Sequence, residues 1–209
     1  MRAFPILLAL ALSACATGRP LPVARWAEAE VSDGSRVLYP AAWRTLDVQD
    51  PARLREEIDR LKEPWRAFAL FLSDRALLIA LSEGEGILGV MGNDAILEPV
   101  EPDLLPSWRA DQEALYRQAL ELDAEALARS MARLQVTPKE AVWRERSGTI
   151  GGVLELRFAA RRGSEAYEGR HAVLHFLGRI YVISALWKGE AGREAYEALL
   201  ARSRFAPER

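Results

Sequence analysis

Cysteine is almost absent from this chain: Cys15 is the single thiol among 209 residues, with one asparagine (Asn93), two histidines and three lysines set against 25 arginines. One thiol excludes an internal disulfide, so the fold must rest on its core alone. A formal net charge of −2 argues against a nucleic-acid partner. Long apolar runs are missing too. The longest near the start, Phe4 to Leu12, makes a helix of about 14 Å, too short for a bilayer core of roughly 30 Å. There is no G-x-S-x-G elbow, no phosphate-binding glycine loop and no dinucleotide fingerprint. No catalytic residue and no cofactor is therefore assigned.

What is present at the start is a charged Arg2, the short apolar run and then the small residues Ser13 and Ala14, the pattern of a secretory signal peptide. Leu12-Ser13-Ala14-Cys15 resembles the bacterial lipobox, in which the cysteine is diacylated and becomes the first residue of the mature chain. That reading explains why the lone thiol stands there, since an unpaired cysteine in an exported protein is exposed to oxidation. It divides the chain into a signal peptide (1–14), a lipidated Cys15 with a proline-rich tether (15–30) and a single domain (31–209). Attachment to the membrane is through the acyl anchor, because two or more acyl chains hold stably where one does not. The chain belongs, on this reading, to the bacterial cell envelope. Ala16 rather than aspartate after the cysteine points to the outer membrane where there are two.

Along the domain, Arg36 to Tyr39 and Trp43 to Val48 read as short strands. Asp50-Pro51 is a helix start, with Leu54, Ile58 and Leu61 on one face, and Pro64 opens a second helix carrying Trp65, Phe68, Ala69 and Leu72. Ala76 to Leu81 and Ile87 to Met91 form a hairpin about Glu83-Gly84-Glu85-Gly86. Gly92 to Pro106 is an acidic, proline-rich connection. Tyr116, Leu120, Ala124, Leu127, Met131 and Leu134 then predict a long helical segment, 107–134, which Asp123 divides in two if it caps a restart.

From Val142 the period becomes two. Leu154, Leu156 and Phe158 alternate with Glu155 and Arg157, and similar alternation over 171–176 and 180–187 predicts an antiparallel meander. The last strand, apolar on both faces, belongs in the centre of the sheet. Glu190 to Ser203 closes the chain as a helix with Tyr196, Leu199 and Leu200 inward. The expected class is α+β, an α/β/α sandwich with a mainly antiparallel central sheet flanked by helices. Tyr39-Pro40-Ala41-Ala42-Trp43, Gly178-Arg179-Ile180-Tyr181-Val182-Ile183 and Ser203-Arg204-Phe205 resemble motifs of the PsbP-like, DcrB-like superfamily. The resemblance covers about Val31 to Phe205. It implies an accessory or assembly factor for a larger complex, with no catalytic residues common to the family.

Candidate sites are few. His171 and His175 would share one face of a helix and hold a metal, but on a strand their Cα atoms lie roughly 13 Å apart, so they are read as two partly exposed structural histidines and no metal site is assigned. Glu83, Glu85 and the carboxylates from Asp94 to Asp103 read as solvated turns. The 92–106 connection combines proline stiffness with acidic and apolar groups, and Glu98, Glu101, Leu104 and Leu105, together with Leu97 and Val100, are the candidate contacts with a protein partner. The expected function is a non-catalytic accessory or partner-binding subunit. The alternatives are an envelope hydrolase with dispersed catalytic residues, marked by a cleft of convergent polar groups, and a lipid or small-molecule carrier, marked by an apolar cavity.

Overall fold

The computed structural model describes residues 26–95, 98–130 and 134–205, with side chains throughout except at 120 and 122–130. Residues 1–25, to which the expected signal peptide, Cys15 and most of the expected tether belong, lie outside what is described, as do Leu97, Met131 and the side chains of Leu120, Ala124 and Leu127. In chain order the elements are β1 (Trp26–Glu30), β2 (Arg36–Pro40), β3 (Arg44–Thr45), α1 (Pro51–Asp59), α2 (Trp65–Ser73), β4 (Ala76–Ser82) and β5 (Gly86–Asp94). There follow α3 (Leu105–Ser130), β6 (Gln135–Arg144), β7 (Val153–Arg162), β8 (Glu165–Phe176), β9 (Arg179–Trp187) and α4 (Glu190–Arg202).

Seven strands form one antiparallel sheet in the order β3-β4-β5-β9-β8-β7-β6, with β1 and β2 as a separate hairpin. Strand β9 is central, as its two apolar faces require. On one side Leu54, Ile58, Phe68 and Leu72 of α1 and α2 pack on Leu154, Leu156, Val173 and Leu186. On the other, Tyr196, Leu199 and Leu200 of α4, with Val31 and Val37 of the hairpin, pack on Leu88, Leu174, Ile183 and Trp187. The fold is thus α+β, an antiparallel sheet with helices on both faces. Asp50 caps α1 as its sequence predicts, its carboxylate accepting from the amides of Ala52 and Arg53.

Several elements differ from expectation. β1 falls inside the span assigned to the tether, so pairing starts at Trp26 and not at Val31. The Trp43 to Val48 strand shrinks to Arg44–Thr45: the Trp43 amide closes a turn onto the Pro40 carbonyl, and after one further bond from the Leu46 amide to the Ile79 carbonyl the chain leaves the sheet. β6 begins at Gln135, so the meander has four strands, and its pairing with β7 slips between Pro138 and Ala141. Leu134 is buried just ahead of that strand, not on the helix. α3 runs unbroken through Asp123. Among the described residues no helix is long and apolar enough to cross a membrane.

Candidate functional site

The 92–106 connection is where the strand β5 leaves the sheet and the chain turns into α3. The amide of Leu104 donates to the carbonyl of Glu101 and the amide of Trp108 to that of Leu104, both at 3.0 Å, so the helix start is wound directly onto the acidic turn. An open groove of about 570 Å³ lies here, lined by Glu98, Pro99, Val100, Glu101, Leu104, Ser107, Trp108, Asp111 and Ile150. Three of the four candidate residues are among its walls. Leu105 is half-buried beside it and does not line it. Leu104 is 54% exposed, one of three such large apolar side chains among the described residues, with Leu115 and Leu177.

Trp108, Asp111 and Ile150 were not legible as site residues. Trp108 is seated by the β6–β7 loop: Gly151 has φ +71°, and a Cβ there would stand 2.3 Å from the indole ring. Arg109 fixes the same junction by donating from Nε to the Gly151 carbonyl at 2.8 Å, with its guanidinium over the Trp143 ring. The helix is thereby anchored to the sheet, and the groove has a rigid apolar floor.

Beneath that floor lies His175, and both histidines are buried, correcting the expectation of partial exposure: α3 covers His175 and α2 lies against His171 on the same face of β8. His175 is fully enclosed, its ring 5.0 Å from Trp108 and 5.7 Å from Tyr116, and neither ring nitrogen has a hydrogen-bond partner. His171 pairs through Nδ1 with Ser184 Oγ at 2.6 Å and lies against Phe71. Burial pushes each imidazole down to about 4. Among the described residues no group of three or more His, Cys, Asp or Glu side chains has metal-binding geometry.

The opposite face of the sheet holds a charge network. Glu155, which alternates with Leu154 and Leu156 along β7, is fully buried. Its Oε1 accepts from Arg157 Nε at 2.9 Å and Arg144 Nη2 at 3.3 Å, and Arg170 Nε is 3.5 Å away. Its Oε2 accepts from the Tyr196 hydroxyl at 2.9 Å. Arg144 also reaches Glu197 at 2.9 Å, and Arg157 reaches Glu140. Burial, and then the Glu155 charge, push the Tyr196 hydroxyl well above its ordinary value, so it stays a donor. A cleft of about 450 Å³ opens beside Arg144, lined also by Glu145, Arg146, Ser147, Glu197 and Leu200. A smaller network binds the β1–β2 turn to the sheet: Asp33 accepts from Tyr181 at 2.8 Å and pairs with Arg179 at 3.1 Å.

With this architecture, comparison with solved structures finds a likeness to the solution structure of the cyanobacterial PsbP, CyanoP, from Synechocystis sp. PCC 6803. The likeness is one of overall fold. Identity is 13% and the TM-score 0.49, over 90% of this chain and 96% of that one. No family model matches the sequence, and no curated protein does.

Proposed function

We propose that this chain is a lipid-anchored cell-envelope protein that acts as a non-catalytic accessory subunit, binding a protein partner through the face formed by the 92–106 connection and the start of α3. The observation that supports this most directly is the groove itself: an exposed Leu104 beside Trp108 and Ile150, bordered by carboxylates and held on a fixed helix junction. Interface energy concentrates in a few apolar anchors surrounded by near-neutral contacts. Membrane attachment rests on the Leu12 to Cys15 motif.

Two experiments test the reading. In cells that make the protein, Leu104→Ala with Leu105→Ala should reduce crosslinked partner several-fold, and Glu98→Ala with Glu101→Ala should reduce it less, acting mainly on association rate and salt sensitivity. Capture at wild-type yield by both double variants would reduce the connection to a structural element. Turnover of an envelope substrate by the purified protein would overturn the accessory role. Separately, Cys15→Ala should move the protein from the detergent-extractable membrane fraction to the soluble one. Retention of the variant in that fraction would contradict the acyl anchor.

A further inference from the structure

The groove at the start of α3 has an electrical character that the apolar contacts alone do not convey. Its lining carries three carboxylates, Glu98, Glu101 and Asp111, and no basic side chain. All three are exposed, and none takes part in an ion pair among the described residues. This is unusual in a chain whose arginines elsewhere seek out carboxylates, as Arg144, Arg157, Arg170 and Arg179 do. Asp103, also exposed, adds a fourth charge on the same turn.

Between these charges the floor is apolar, formed by Pro99, Val100, Leu104, Trp108 and Ile150. A further exposed apolar side chain stands at the same end of the sheet. The Ile150 amide donates to the carbonyl of His175, and the Ala95 amide to that of Gly178, which brings the β8–β9 turn to the same end of the sheet. That turn bears Leu177, 53% exposed. An exposed leucine and a tryptophan wall inside an acidic border make a surface selective for one kind of occupant. A bilayer is excluded by sign, since anionic headgroups attract basic segments and repel acidic ones.

From these observations we infer that the groove receives a cationic, aliphatic peptide segment of the partner, with arginine or lysine side chains meeting Glu98, Glu101 and Asp111 and an apolar residue seated between Leu104 and Trp108. The inference rests on the partner-binding reading and specifies its chemistry. The volume, about 570 Å³, is of the size that short peptides and small ligands fill. The carboxylates select and steer, and the floor supplies most of the contact energy. Trp108 is a poor place to probe by substitution, because it also covers His175 and packs on Gly151.

The test uses the purified full-length chain in neutral detergent with two dye-labelled peptides, Gly-Arg-Leu-Pro-Arg-Leu-Gly and its twin with glutamate in place of arginine, read by fluorescence anisotropy. The arginine peptide should bind at least about tenfold more tightly than its twin, and this advantage should shrink as salt rises toward roughly 0.5 M. The triple variant Glu98→Gln, Glu101→Gln, Asp111→Asn should lose about tenfold in affinity for the arginine peptide and most of its salt dependence. Its melting temperature should be unchanged, because the three side chains stand in water. Equal binding of the twins, no binding at millimolar peptide, or full affinity in the triple variant would overturn the inference. So would sedimentation showing a dimer that the triple variant lacks, which would make a second copy the occupant. Crosslinking separates the two levels: partner capture lost in Leu104→Ala with Leu105→Ala but untouched in the triple variant keeps the partner site and discards the cationic segment.

Discussion

Glu155→Gln should destabilise the protein by about 3–5 kcal/mol, the cost of removing one member of a buried ionic group and leaving its partners uncompensated. Glutamine keeps the volume and can still accept from Tyr196, so the loss reports on charge and not on packing. The partners left behind are substantially desolvated, with side-chain exposures of 14% for Arg170, 24% for Arg157 and 34% for Arg144. Arg157 and Arg170 also stand directly opposite one another across β7 and β8. Like charges in that register repel, and the Glu155 carboxylate is what reconciles them. Urea unfolding should show a lower midpoint with an unchanged slope. Glu140→Gln, which removes a carboxylate that is 61% exposed from the same Arg157, should cost less than about 1 kcal/mol. Equal effects from the two substitutions would mean that Glu155 acts only as a packing element.

Acid should unfold this protein earlier than its carboxylates alone would dictate. An unfolded imidazole titrates near 6.5, whereas burial holds His171 and His175 down to about 4 in the folded chain. Between those values the unfolded state binds more protons than the folded one. Stability from the two neutral rings is therefore complete above about pH 6.5 and is lost as pH falls through 4, on the order of 3 kcal/mol for each ring. Chemical denaturation at a series of pH values should show this slope. His175→Phe, which retains an aromatic ring against Trp108 and Tyr116, removes two buried nitrogens that have no partner. It should hold or raise stability at pH 7 by about 1–3 kcal/mol and remove roughly half of the slope between pH 6.5 and 4. A wild-type profile that is flat over that interval would show that water reaches the rings.

Much of the architecture was legible because its causes are local. Asp50-Pro51 starts α1 through capping and a fixed φ, and the double-sided apolar pattern of 180–187 places β9 centrally whatever its neighbours are. β1 was missed because Trp-Ala-Glu-Ala-Glu has weak strand character of its own and is held by Arg36–Pro40 across a turn. The burial of Glu155 was missed for a different reason. Alternation along one strand assigns a carboxylate to the outer face, and only the docking of α4, with Tyr196 above it, makes that face interior. Its partners come from positions 144, 157, 170 and 196, and the like-charged Arg157 and Arg170 signal a buried anion only once strand register is known. The groove was half-read in the same way. Glu98, Glu101 and Leu104 lie three residues apart in one conspicuous segment, but Asp111 and Trp108 carry the period of an ordinary helix, and Ile150 arrives from the loop between β6 and β7.

The two borders of the seven-stranded sheet bear on how the chain avoids polymerising. An exposed outer strand with an uninterrupted row of amides and carbonyls is a template on which other polypeptides add, and proteins suppress this by shortening or breaking such strands. At one end β3 offers two residues. At the other, the ladder of β6 is interrupted at Pro138, which has no amide hydrogen to donate, and by the slip that follows it, so that the strand is split into two short stretches, Gln135 to Pro138 and Ala141 to Arg144. Neither border can accept a long foreign strand. Polymerisation by sheet growth is thereby discouraged.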